Sequence, residues 1–390
     1  MTTAAIALPR VQRPVLALAL AAAAGLVVYL TGIDARHAVL FVVGMGLGVS
    51  LYHAAFGFTG AYRRAIVERD ISGVTAQLVM LAAAMLLFAP ILAQGQAFGR
   101  GIGGALAPAS LSVAVGAFLF GIGMQVAGGC ASGTLYTAGG TNVRMILVLA
   151  FFVAGSFWGS LDLDWWSRLP GIGVVSLGRE LGWGTAIGLQ LGALALIYAG
   201  LRLAGARHAR PLWFDGGFSR RRLLQGPWPL LLSAGLLALL NWATLLIAGH
   251  PWTITWAFSL WGAKTALALG WDPATSPFWT GPFQQAALAR PILADVTSVM
   301  NIGIMLGALV AASLAGKVAP KSRIPLPSLV AAVVGGLLLG YGARLAYGCN
   351  IGSFFSGVAS TSLHGWLWLL CAVPGNMIGV RLRPLFRLDG

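Results

Sequence analysis

Charge is scarce in this chain: only 9% of its 390 residues are Asp, Glu, Lys or Arg, against roughly 25% in an ordinary soluble domain. That scarcity leaves no stretch from which a large water-soluble domain could be built. Asp and Glu together number 10, and none falls at the centre of an apolar stretch, where a common proton-coupled carrier would hold its carboxylate. Cysteines number 3, an odd count, and no C-x-x-C, H-E-x-x-H or Cys/His cluster occurs. A disulfide framework and a metal centre are therefore not expected. Walker A, G-x-S-x-G and dinucleotide fingerprints are also missing. An ATP-driven pump in a single chain is excluded in practice, and no cofactor is called for.

What the chain has instead is apolar length. Hydrophobic residues make up 58% of it, and runs near or above the ~17 residues that span a bilayer recur along almost the whole sequence. The candidate spans are 15–30, 38–56, 74–92, 110–126, 145–157, 183–201, 229–247, 296–314, 329–345 and 365–380. The fold class is thus an all-α polytopic membrane protein of about ten spanning or partly spanning helices, with the lipid bilayer as its first partner. The span 145–157 is short, and 251–270 is apolar but broken by Lys264, so it reads as re-entrant. The stretch 15–30 follows Arg10 and Arg13 and is read as the first helix, since no small-residue cleavage site separates it from a soluble region.

The net charge of +15 would suggest nucleic acid in a soluble protein, but here the cations lie in the loops. With the N-terminus inside, 17 Lys and Arg fall in inner loops and 6 in outer ones, while Arg202 and Arg344 sit in or at the end of spans. That asymmetry predicts a bacterial inner-membrane protein with both termini cytoplasmic and no nucleic-acid partner. The basic segment 204–226 is expected to join a first half, 1–203, to a second, 227–390. Outer loops such as "LDLDWWSRLPG" are rich in Trp and Pro, as interfacial segments are.

An internal repeat organises the two halves. Shifting the sequence by 219 places Cys130 on Cys349, and ten of the 26 columns between 108–133 and 327–352 are then identical. A looser echo pairs "FGFTGA" at 56–61 with "FSLWGA" at 258–263. The span before Cys130 runs inward and the span before Cys349 runs outward, so the repeats are inverted, a plan that puts a substrate path between broken segments of the two halves. Two Gly-Cys loops are expected to dip toward each other from opposite faces. Glycine permits such turns.

A free membrane cysteine is usually a small buried hydrophobe, and Cys371, with no counterpart in the first half, is read that way. The repeat and the glycine setting turn Cys130 and Cys349 into candidates for contact with a sulfur-bearing ligand, since a thiol is a soft atom and a weak donor. Around them, Gly129, Gly133, Gly348, Asn350 and Gly352 complete the two Gly-Cys frames. Gln125 and Arg344 occupy equivalent positions five residues upstream and would supply donors and charge to an anion, with snorkelling as an equal reading for Arg344. His53, His250 and His364 read as interfacial or packing residues.

These residues resemble the YeeE/YedE sulfur-transport family, through "GIGMQVAGGCASGTLY", "GYGARLAYGCNIGSFFSG" and "FGFTGAYRR". The resemblance implies an hourglass-shaped bundle in which several helices do not cross fully, and thiosulfate passed between cysteines by S–H contacts. It matches Cys130 and Cys349 to two of three working cysteines. At the third position, in the frame of Phe56 and Gly60, this chain has Gly57 where a thiol is expected.

The function expected is a permease importing thiosulfate or a related sulfur-containing anion through a cysteine-lined path. Competing with it are a membrane sulfur-relay protein that forms persulfides on Cys130 and Cys349 for a cytoplasmic sulfur-carrier protein, a transporter of another sulfur or selenium species, and a passive small-anion channel. A relay thiol would need exposure and a lowered pKa.

Overall fold

The computed structural model describes residues 10–215, 219–319 and 323–388. Among these, ten helical stretches are long and apolar enough to cross a membrane. We number the principal helices α1 (Arg13–Ile33), α2 (Ala35–His53), α3 (Phe58–Glu68), α4 (Ser72–Gln94), α5 (Leu111–Ala127), α6 (Ala131–Gly139), α7 (Val143–Leu161), α8 (Trp183–Leu203), α9 (Leu230–Ala248), α10 (Thr255–Ala268), α11 (Val296–Leu314), α12 (Leu326–Leu345) and α13 (Leu363–Leu382). Two short two-stranded ribbons lie in the loops after α4 and α7. The stretch expected to be short, 145–157, is a full helix of 19 residues. Gly155 and Gly159 are contact points on it: a Cβ on Gly155 would lie 2.4 Å from the carbonyl oxygen of Leu337.

Glycine sets the helix crossings of the core. A Cβ on Gly116 would lie 2.7 Å from the carbonyl oxygen of Gly342, and one on Gly342 would lie 2.6 Å from that of Gly116. A Cβ on Gly123 would lie 3.1 Å from the carbonyl oxygen of Gly335, and one on Gly335 would lie 2.4 Å from the Ala127 nitrogen, as one on Gly116 lies 2.7 Å from that of Ala346. Early α5 therefore meets late α12, and late α5 meets early α12. The two helices are antiparallel, and each contact has a mate displaced by 219 residues, the self-complementary pattern of a twofold axis. Outside this pair the relation continues: Gly121 of α5 packs on Ala372 of α13, and its equivalent Gly340 of α12 packs on Phe152 of α7. Such close backbone approach is how helices associate in lipid, where apolar burial gives no preference for helix over solvent.

Three helices in the set are too short to cross alone: α3 has 11 residues, α6 has 9 and α10 has 14, about 16, 14 and 21 Å at 1.5 Å per residue, short of the ~30 Å hydrocarbon core. α10 turns back beside α7, with Ser259 hydrogen-bonded to Ser156 at 2.8 Å, which matches the re-entrant reading of 251–270. Lys264 is accommodated by donating to the carbonyls of Leu288 and Arg290, both at 2.7 Å.

The termini of α1, α2, α3, α7, α8, α11, α12 and α13 that carry the basic residues gather on one face. Gln12 bonds the carbonyl of Val318 there, and the Trp228 amide bonds that of His53. Lys321, counted among the inner cations, lies outside the described residues. On this face the joining segment is pinned to the α3–α4 turn by Asp70, which is 1% exposed. Its carboxylate accepts from the Ser72 hydroxyl (2.6 Å), the Ser72 and Ala209 amides (2.9 and 3.2 Å) and Arg210 Nε (3.2 Å). Burial raises the Asp70 pKa, but these donors outweigh it and hold the group at about 2. A carboxyl depressed below the unfolded value of ~3.9 stabilises fully above that pH and loses its contribution as pH falls through the folded value. Asp70→Asn is accordingly expected to cost on the order of 2 kcal/mol at pH 6, with a smaller deficit at pH 3. Thermal unfolding at the two pH values checks this; an equal deficit at both would contradict it.

Candidate functional site

Both thiols sit where a helix breaks inside the bundle. α5 ends at Ala127 and α6 starts at Ala131, with Cys130 as its N-cap; α12 ends at Leu345, and Cys349 caps a π-helical turn, Asn350–Phe355. The chain leaves α5 through Gly128 at φ +78° and leaves α12 through the equivalent Tyr347 at φ +56°. Glycine takes this left-handed region freely, whereas a tyrosine there is unusual and is held by its surroundings. The cysteines themselves adopt matching extended conformations, φ/ψ −85°/−173° and −101°/−164°. Sequence equivalence at offset 219 is thus also equivalence of backbone.

Each sulfur accepts a backbone N–H: Gly133 to Cys130 Sγ and Ile351 to Cys349 Sγ, both at 3.4 Å. Ser132 Oγ also lies 3.4 Å from Cys130 Sγ. Both cysteines are 1% exposed and belong to one buried cluster, in which α6 and the Asn350–Phe355 turn touch. Gly348 and Gly352 allow the tight second turn, where added Cβ atoms would lie 2.8 Å from the Ser353 amide nitrogen and 3.1 Å from Thr253 Oγ1. Gly129 does the same against Thr134 Oγ1 at 3.2 Å.

Around the thiols are buried polar groups without partners: both amide atoms of Asn350, Tyr62 Oη, Thr59 Oγ1, Thr134 Oγ1 and Gln125 Oε1. Tyr62 and Asn350 face each other without making a hydrogen bond of good geometry, and Tyr62 and Tyr136 both interact with Cys130. Buried polar atoms are almost always satisfied, so a cluster of unsatisfied ones around two thiols marks a place prepared for a polar ligand. On the apolar side, rings run in contact from Phe56 through Phe58, Phe354 and Trp368 to Phe120.

The residues expected from the sequence meet here unequally. Phe56 is buried in the aromatic wall. Gly57 caps α3 in an extended conformation, and a Cβ there would touch only Tyr136 Oη, at 3.4 Å. Gly60 lies under the Arg64 guanidinium, 3.3 Å from an added Cβ. Gln125 is at the site, but its NH2 is committed to Thr59 O (3.1 Å) and Asn376 Oδ1 (2.8 Å), which leaves only its oxygen free. Arg344 turns away. Its guanidinium lies 4.8 Å from the centre of the Phe278 ring, and its Cβ packs at Gly159 of α7. One helix face separates it from Gln125: positions equivalent in sequence do not point equivalently when the neighbouring helices differ. Tyr62, Thr59 and Tyr136 were passed over in the sequence, although all three lie inside the motifs "FGFTGAYRR" and "GGCASGTLY" that carry the resemblance.

The sequence pattern of the sulphur transport family matches residues 53–378, which include both thiol breaks and α3. The chain belongs to that family. Among relatives in this family, probable transporters called YedE from Salmonella typhimurium and Escherichia coli are 34% and 33% identical over 167 residues, 42% of this chain and 39% of theirs. The chain therefore matches about two-fifths of the length of those relatives. A thiosulfate transporter, TsuA of Spirochaeta thermophila, is 28% identical over 351 residues, 86% of this chain and 95% of its own. The E. coli TsuA is 23% identical over 364 residues, 86% and 91% of the two chains. Membership of this family, together with ten helical stretches long and apolar enough to cross a membrane among the described residues, makes the chain a multi-pass membrane protein.

Proposed function

We propose that the chain imports thiosulfate or a closely related sulfur-containing anion across the bacterial inner membrane, with its basic face and both termini in the cytoplasm. The observation that carries this reading is the pair of buried thiols at equivalent helix breaks, set among unpartnered polar side chains. The soft sulfur of the anion meets Cys130 and Cys349, while Asn350, Tyr62 and the free oxygen-bearing groups beside them meet its oxygens and their residual water. Weak S–H and amide contacts suit a conducted ligand, which has to leave as well as bind. Burial of both thiols favours transport over persulfide relay, because a soluble carrier would have no access to them. The two halves, 1–203 and 227–390, then act as the inverted units on either side of the path.

Uptake of sulfur-labelled thiosulfate in a bacterial strain lacking its own sulfate and thiosulfate importers tests this: accumulation above the empty-vector level is expected. None, from protein present in the membrane, would move the search to another sulfur or selenium species.

Gly57 gives a sharper test of selectivity. The space beyond its α-carbon admits a thiol, so Gly57→Cys is expected to fold with a stability change within about 0.5 kcal/mol. It would place a third sulfur beside Tyr136 and is expected to change the ratio of thiosulfate to sulfate uptake severalfold. An unchanged ratio would remove Gly57 as a determinant of substrate choice.

A further inference from the structure

On the basic face, beside the C-terminal end of the α6 helix that Cys130 caps, lies an open cavity of about 470 Å³. Arg144, Lys317 and Arg323 line it together with Tyr52, Thr141 and Asn142, and among the described residues no acidic side chain does. α7 and α12 both begin at its wall, so the partial positive ends of two long helices add to the three cations. Among the described residues, Lys317 and Arg323 make no ion pair. Thr141 Oγ1 is buried there without a partner.

Arg144 ties this cavity to the thiol site. Its Nε donates to Ser328 Oγ at 2.8 Å, and its two terminal nitrogens cap the carbonyls of Val126 and Ala127 at the end of α5. One of those nitrogens would lie 3.2 Å from a Cβ on Gly128, two residues before Cys130. Beside it, Tyr52 of the cavity meets Tyr136 of the thiol site edge to face, with ring centres 6.4 Å apart.

We propose that this cavity is a second anion site, a vestibule that takes a small sulfur oxyanion from the thiol chamber and releases it at the basic face. The proposal rests on the permease reading above and adds a station to it. Lys317 and Arg323 are exposed, so they attract a dianion through a high dielectric and hold it weakly. No thiol lines the cavity, which gives it no means to tell thiosulfate from sulfate. The chemistry expected is therefore low-affinity, salt-sensitive binding of either dianion, downstream of the step that selects.

The test is equilibrium binding of sulfur-labelled sulfate and thiosulfate to the purified full chain carrying Cys130→Ser and Cys349→Ser, which silences the thiol chamber. Both anions are expected to bind with affinities within about threefold of each other, and added chloride should weaken both. Lys317→Gln with Arg323→Gln in that background should weaken binding about tenfold. In the otherwise intact chain the same pair should lower thiosulfate uptake severalfold. Binding that ignores the two Gln substitutions, or binding of thiosulfate without sulfate, would overturn the vestibule. The two readings separate cleanly: sulfate binding that needs Lys317 and Arg323 in a chain that takes up no thiosulfate would keep the anion site and remove it from a thiosulfate path.

Discussion

Replacing Cys130 or Cys349 with alanine is expected to cut uptake of labelled thiosulfate at least tenfold, at unchanged amounts of folded protein in the membrane. A tenfold loss is ~1.4 kcal/mol, the scale of one soft contact removed from a site that excludes water. The change costs little stability, because what each sulfur gives the fold is long, weak bonding: Cys130 to the Gly133 N–H and Ser132 Oγ, Cys349 to the Ile351 N–H, all at 3.4 Å. Cys371→Ala, by contrast, should leave uptake near the wild-type level: its side chain is half-buried on α13, outside both Gly-Cys frames. Full uptake by either alanine variant at the central cysteines would mean that the path does not run past both thiols.

The second large effect falls on the fold. Gly340→Val is expected to leave little or no folded protein. A Cβ at this position would lie 2.3 Å from the Phe152 carbonyl oxygen and 2.4 Å from the Ser156 nitrogen, both backbone atoms that no rotamer change can move aside. Overpacking of this kind costs typically 1–3 kcal/mol and more where backbone is in the way. Gly188→Val is the control, since nothing lies within 4 Å of a Cβ there. Size-exclusion profiles of the two variants after detergent extraction decide the matter: a monodisperse Gly340→Val peak as large as that of Gly188→Val would show that the helix crossing tolerates separation.

Much of this architecture is written in the sequence, because in a membrane protein apolar length and the placement of arginine follow from the solvent. The ten stretches and the re-entrant 251–270 came from that logic. The relation between Cys130 and Cys349 was legible as well, through a register of glycines that turns out to be a register of contacts: Gly116 with Gly342, and Gly123 with Gly335. Harder to read was what a glycine does in a given place. Gly155 and Gly159 are seams inside a helix, whereas Gly128 ends one. Periodicity alone does not distinguish them, since both meanings use the absence of a side chain.

The same limit explains Arg344 and the tyrosines. Offset 219 makes Arg344 the equal of Gln125, but α12 presents it to α7 and the ring of Phe278, while α5 presents Gln125 to α3 and α13. An approximate twofold axis equates backbones more strictly than side-chain environments. Tyr62 and Tyr136 belong to motifs valued for their glycines; Tyr136 follows Cys130 on α6, whereas Tyr62 lies far from it in sequence on α3, which folds back into the bundle. Asp70, hidden between two helices, is a further residue that no motif announces, and its role is to fasten the joining segment rather than to meet a ligand.

The central claim, that an intact sulfur anion crosses the membrane past two thiols, is tested most directly with the purified chain in sealed liposomes. Sulfur-labelled thiosulfate is added outside, and the label is then located and identified. The account predicts unmodified thiosulfate in the lumen, lost when Cys130 becomes alanine, and no sulfur left on the protein. Label held covalently on Cys130 or Cys349 with none in the lumen would contradict it and make this chain a sulfur relay.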